Sequence, residues 1–124
     1  MSAGEVRAHL NKAHQFHAAA QFSLDSGNYD AAASDAVLAG IRAADAICVA
    51  RLGASSRAKQ HAAAIGLLKG AGVEGRRAAT LLSRLLELKA KAQYDTIPVT
   101  ADAARRAVES AQKLLDLARE VAAG

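Results

Sequence analysis

Four short segments of turn-forming residues divide this chain into long stretches with almost no helix breakers. The segments are Ser26-Gly27-Asn28, Gly53-Ala54-Ser55-Ser56, Gly70-Ala71-Gly72 and the loop 95–99, which holds the single proline. No stretch alternates apolar and polar residues for long enough to predict a strand. The pattern predicts five helices in one all-α domain over residues 1–124: four at about residues 4–25, 29–52, 57–69 and 74–94, and a fifth capped by Thr100.

The predicted core is built from small side chains. Hydrophobic residues make up 52% of the chain but aromatic residues only 3%, which favours closely packed helices. The second helix is small or apolar nearly all round and is expected at the centre, in contact with neighbours on several sides. The fifth helix carries one apolar stripe at helical spacing, formed by Ala104, Ala107, Val108, Ala111, Leu114, Leu115, Ala118, Val121 and Ala122.

Charge and cysteine content narrow the classes of function. The formal net charge of +4 favours anionic partners only mildly, because no block of like charges forms a nucleic-acid-binding tail. A single cysteine, Cys48, excludes an internal disulfide and a multi-cysteine zinc site. No apolar run approaches the ~20 residues needed to span a bilayer, and the first residues lack a signal-peptide pattern. We therefore expect a cytoplasmic protein without a membrane partner.

The predicted fourth helix carries the clearest candidate binding surface. Arg77, Thr80, Arg84, Glu87 and Lys91 recur at spacings of three and four and should share one face, which is net positive. Arg77, Arg84 and Lys91 are the predicted anion-binding or nucleic-acid-binding residues. The alternative is a solvated outer stripe, since no aromatic residue is interleaved to stack on bases.

Several segments resemble the HEPN domain family over almost the whole chain. They are Ala20, Tyr29-Asp30-Ala31-Ala32, Ile41-Arg42-Ala43-Ala44-Asp45, His61 and Leu88-Lys89-Ala90-Lys91-Ala92-Gln93-Tyr94-Asp95. The resemblance implies an up-down helical bundle that dimerises. It also implies a nucleotide, RNA or nucleotidyltransferase partner, and a possible setting in toxin-antitoxin or defence systems.

Many members of that family are metal-independent ribonucleases with an Arg-x4-6-His motif near the end of the corresponding helix. Here Lys89 stands at the arginine position, and no histidine follows through Ile97. Such cleavage needs a group that exchanges a proton near neutral pH, which histidine does and Gln93 does not. We interpret the ribonuclease site as degenerate, with Lys89, Lys91 and Tyr94 as the candidates for a rearranged site.

Polar residues on the first two helices allow more than one interpretation. Arg42 and Asp45 are spaced as an intrahelical ion pair, or they line a cleft beside the fourth helix, where HEPN members carry polar residues. His14 and His17 lie three residues apart, but two ligands do not make a metal site. We predict neither a metal nor a cofactor.

Three functions remain open at this point. The first is a non-catalytic HEPN-like module that dimerises and binds a nucleotide, RNA or protein partner. The second is an active ribonuclease with a rearranged site. The third is a purely structural helical interaction protein.

Overall fold

A computed structural model of the chain describes residues 3–54, 62–94 and 96–124. It contains helices α1 (Ala3–Asp25), α2 (Tyr29–Leu52), α3 (Ala62–Lys69), α4 (Gly72–Tyr94) and α5 (Ala101–Ala123). No strand occurs in these ranges, so the prediction of an all-α bundle is confirmed. The first residues predicted for the third helix, 57–61, lie outside the described residues and include His61. The side chains of Gln93 and Tyr94 and the whole of Asp95 lie outside them too.

Two glycines end the first two helices. Gly27 has a φ of 77°, and the amides of Gly27 and Asn28 donate to the carbonyls of Leu24 and Ser23 at 3.1 and 2.8 Å. Gly53 has a φ of 79° and donates its amide to the carbonyl of Val49 at 3.0 Å. Glycine adopts this left-handed conformation without the strain that a side chain would add. The helix ends predicted from turn-forming residues therefore have a backbone cause.

The second helix is the centre of the bundle, as predicted. It packs against α1, α3, α4 and α5. Its buried residues are mostly alanines, joined by Val37, Ile47, Cys48 and Val49. Gly40 lies where Leu85 of α4 and Leu114 of α5 come closest, so the missing side chain lets three helices meet. This crossing fixes the position of α4, which carries the predicted binding surface.

The last helix begins and packs largely as predicted. The side-chain oxygen of Thr100 accepts from the amide of Ala103 at 3.0 Å, and Arg106 Nε lies 3.2 Å from Asp102 Oδ2. The predicted stripe is buried except for Ala122, which is exposed in the last turn; Leu117 is buried in addition. None of the helices in the described residues is both long and apolar enough to cross a membrane.

Candidate nucleic-acid interface

Three cationic side chains of α4 form a row on the outside of the bundle. Ala78, Leu82 and Leu85 are buried on the inner side of the helix, whereas Arg77, Arg84 and Lys91 are all exposed. Each seven-residue step along a helix returns to within ~20° of the same direction. At a rise of ~1.5 Å per residue, the row extends for about 21 Å. We call Arg77, Arg84 and Lys91 the basic row.

The surface around the basic row keeps its positive charge. Arg76 is a further exposed cation on the outer side of α4, and Glu87, also exposed, is an acid between Arg84 and Lys91. Four cations against one acid leave this face net positive. A chain of phosphates lying along α4 would therefore meet a favourable potential over most of the helix.

The first turn of α4 is held against the end of α2 by an arginine. Arg51 Nη1 donates to the carbonyl of Ala71 at 3.2 Å, and Arg51 Nη2 lies 3.4 Å from Glu74 Oε1. The backbone amide of Glu74 lowers the pKa of its carboxyl group, and the charge of Arg51 lowers it further. The carboxylate therefore stays ionised near neutral pH and keeps Arg51 at the junction of α3 and α4.

An open groove of about 420 Å³ lies between α4 and α5. Its floor includes Leu81 and Leu117, and its other lining residues are Arg77, Thr80, Lys113, Asp116 and Glu120. Asp116 Oδ1 accepts from Gln112 Nε2 at 2.9 Å and lies 3.9 Å from Arg119 Nη1. The positive charges of Arg77 and Lys113 and the negative charges of Asp116 and Glu120 cancel in this groove. The positive potential of the basic row is therefore weakest around Arg77.

The structure separates two of the three candidates for a rearranged ribonuclease site. Lys89 is partly buried, whereas Lys91 is exposed. Residues two apart on a helix point about 200° away from each other, so the two amines lie on different sides of α4. Tyr94 ends the helix, but its side chain is outside the described part of the chain. A single phosphate has no evident position between the two lysines.

Arg42 and Asp45 meet α1 through a histidine. Arg42 Nη1 lies 3.4 Å from His9 Nδ1, and Asp45 Oδ2 lies 4.0 Å from the same nitrogen. The side chains of His9 and Asp45 are 13% and 14% exposed. Neither Arg42 nor Asp45 lines the groove between α4 and α5. Arg42 and Asp45 therefore form a polar contact between α1 and α2 together with His9. The sequence analysis did not predict that His9 belongs to this group.

The other histidines of α1 face α5. His14 Nδ1 lies 3.4 Å from Arg119 Nη2. Burial lowers the pKa of His17, while the nearby backbone carbonyl of Val108 acts in the opposite direction. The buried Nε2 of His17 has no hydrogen-bond partner among the described residues. In the same part of the chain, no group of three or more His, Cys, Asp or Glu side chains is placed to hold a metal ion.

The described architecture is that of a small helical bundle with one net-positive outer face. The family model for the HEPN domain matches residues 6–121, and the chain therefore belongs to the HEPN family. HEPN domains are nucleotide-binding or ribonuclease modules, and they commonly dimerise. A comparison with curated proteins found no match.

Proposed function

We propose that this chain is a non-catalytic HEPN module that dimerises and binds RNA along α4. The observation that carries the proposal is the basic row, whose three cations are all exposed on the outside of the bundle. Cations in a line neutralise successive phosphates and release their counterions, which favours binding of any RNA sequence. The family suggests RNA as the class of ligand, and the basic row is the surface that we propose binds it.

The proposed binding is weak and independent of base sequence. Contacts to phosphates position a nucleic acid but do not distinguish its bases. Stacking on aromatic side chains adds about 1–3 kcal/mol per base in other single-strand binders, but residues 72–93 contain no aromatic residue. The acids of the α4–α5 groove further limit attraction near Arg77. Affinity should therefore come almost entirely from charge.

Salt titration tests the role of the basic row. Neutralising three phosphates of single-stranded RNA predicts a slope of log affinity against log salt near about −2, and each lost cation should flatten it by about 0.7. We expect Arg77→Ala/Arg84→Ala to bind labelled RNA more weakly and with a slope near about −0.7. Fluorescence anisotropy at several salt concentrations measures both quantities, with circular dichroism to show that the variant stays helical.

A matched variant separates the basic row from net charge. Arg105 and Arg106 are exposed on α5 and both lie against Asp102, so Arg105→Ala/Arg106→Ala removes the same charge from another surface. This control should keep most of the parent slope. Equal flattening in both double variants would mean that RNA responds to overall charge, and it would reject the row as the binding surface.

We expect no RNA cleavage in the absence of metal ions. The segment after Lys89 lacks the histidine that proton transfer requires, and Lys89 itself is partly buried. The measurement is gel analysis of labelled RNA incubated with the purified protein in EDTA. Cleavage that persists in EDTA and disappears in Lys89→Ala would contradict the proposal and support the ribonuclease alternative.

We also propose that the module has a protein partner. A nucleotidyltransferase or a component of a toxin-antitoxin or defence system is the kind of partner that the family suggests. A nucleotide ligand would use the same phosphate chemistry as RNA. If neither RNA nor nucleotides bind, the purely structural alternative is favoured, and the basic row is a solvated face.

A further inference from the structure

An uncharged strip runs along the outward side of α1 for five turns, between the exposed cations Arg7 and Lys12 on its two edges. Six exposed residues follow each other at the alternating spacing of four and three that is typical of paired helices: Gly4, Ala8, Asn11, Gln15, Ala18 and Phe22. We call them the α1 outer face. By contrast, the exposed side of α5 carries Asp102, Arg105, Arg106, Glu109, Lys113 and Asp116. The α1 outer face is thus unlike the charged surface expected of a solvated helix.

Phe22 is the most exposed large hydrophobic side chain among the described residues, at 73%. An aromatic ring in water on an otherwise small and uncharged helix face resembles the buried anchor of an interface. On α2, Leu38 is 40% exposed and lies one turn from Arg42, on the side that meets α1 through His9. Leu38 is thus a second exposed apolar side chain, on a helix that packs against α1.

The charges along one edge of this face are arranged for pairing with a copy of itself. Arg7 and Asp25 are both exposed and are separated by 18 residues, which is five full turns, so they lie on the same edge of α1. Two α1 helices that pair antiparallel bring Arg7 of each copy to Asp25 of the other. In a parallel pair related by a two-fold axis along the helices, these edges would lie on opposite sides of the contact, and Arg7 would not meet Asp25. Gln21 Nε2 donates to Asp25 Oδ1 at 3.0 Å and holds this carboxylate at the surface edge.

In the same antiparallel register, the exposed ring of Phe22 packs against small residues of the other copy. With Arg7 opposite Asp25, residue 22 of one copy lies opposite residues 8–11 of the other. Ala8 and Asn11 are small enough there to leave room for the phenyl ring between helices. Because the face itself is uncharged, two copies that each carry a charge of +4 can approach here with little direct repulsion.

We propose that the α1 outer face is the surface through which two copies of this chain pair, with their α1 helices antiparallel. The inference deepens the dimerisation part of the proposed function and rests on it. A contact along one helix is small for a stable complex, so we expect a dissociation constant on the order of 1–100 µM. The basic row lies on α4, away from this surface, and stays free for RNA in the dimer.

Sedimentation equilibrium of the full chain over a range of concentrations tests the surface. Phe22→Lys removes one ring from each copy, and we expect it to raise the dissociation constant by about 100-fold. Val73→Lys is the matched control, because Val73 is a 59% exposed apolar residue on α4 and the added charge is the same. This control should dimerise as the parent does. Phe22 is exposed, so both variants are expected to fold, which circular dichroism checks.

Charge reversal tests the antiparallel arrangement. Arg7→Asp and Asp25→Arg should each raise the dissociation constant by about 10-fold, and the double reversal should restore it. A parent that dimerises while Phe22→Lys dimerises equally well would overturn the α1 surface but leave the dimer itself standing. A double reversal as weak as the single variants would overturn the antiparallel arrangement. A parent that stays monomeric at all concentrations would overturn both the dimer and this inference, without bearing on RNA binding.

Discussion

Replacing Gly40 by valine is expected to cost about 3 kcal/mol of unfolding free energy, a large share of the stability of a domain of this size. A Cβ atom at position 40 would lie 2.5 Å from Leu85 Cδ1 and 3.2 Å from Leu114 Cδ1. Both leucines are buried, so neither side chain can turn away into water. The added atoms would force α2 away from α4 and α5, the two helices that meet it at this point.

Gly66 offers the same substitution without the crowding. It lies inside α3, is exposed, and a Cβ atom there would meet nothing within 4 Å. Gly66→Val should therefore change the unfolding free energy by less than about 0.5 kcal/mol. Urea unfolding followed by circular dichroism compares the two variants, at one fixed protein concentration because dimerisation adds to apparent stability. Equal urea midpoints for the two valine variants would show that the crossing at Gly40 is not tight.

The crossing at Gly40 also sets the orientation of the basic row. Arg84 of the basic row is adjacent in sequence to Leu85, which packs against Gly40. The core contact of one residue therefore sets the outward direction of the next. A displaced α4 would still carry its cations, so Gly40→Val should weaken stability far more than RNA affinity at temperatures where it remains folded.

The helices could be predicted from sequence because their ends are fixed by local chemistry. Gly27 and Gly53 adopt a conformation that other residues avoid, and Thr100 caps α5 through its own side chain. Each of these signals acts within a few residues. The spacing of Arg77, Arg84 and Lys91 predicted a shared face for the same reason, since helical geometry alone determines it.

Contacts between distant segments could not be predicted in this way. His9 lies 33 residues from Arg42, and only the packing of α1 against α2 brings their side chains together. The sequence offered Arg42 and Asp45 as an intrahelical pair or as part of a cleft, and neither interpretation included a histidine from another helix. The partial burial of Lys89 likewise depends on which side of α4 faces the core. The match of Lys89 to the arginine position of the family motif did not indicate how far its side chain is buried.

The uncharged face of α1 could be recognised only once the buried side of the helix was known. Val6, Ala13 and Ala20 are buried and mark the inner side of α1. Only then do the exposed residues opposite them stand out, because a solvated helix normally carries its charges on that side. Surface patterns of this kind require the position of the core before they can suggest a partner.

Replacing Leu85 by alanine should cost about 2–5 kcal/mol, because it removes a buried side chain and leaves a cavity beside Gly40. That cavity is the space into which a larger residue at position 40 would extend. Leu85→Ala/Gly40→Val should therefore lose about 1–3 kcal/mol less than the sum of the two single variants. The coupling arises because each change relieves the strain or the void that the other creates.

The matched comparison uses a leucine of equal burial elsewhere in the bundle. Leu68 of α3 is 0% exposed and is not among the atoms closest to position 40. Leu68→Ala/Gly40→Val should lose the sum of the single effects within about 0.5 kcal/mol. Urea midpoints of the three single and two double variants, read by circular dichroism, test this expectation. Two losses of about 3 kcal/mol approach the whole stability of a small domain, so all variants are measured in a fixed concentration of sucrose, which strengthens the folded state enough to give each a midpoint. The compensated variant should remain helical, and additivity in both pairs would show that Leu85 does not occupy the space above Gly40.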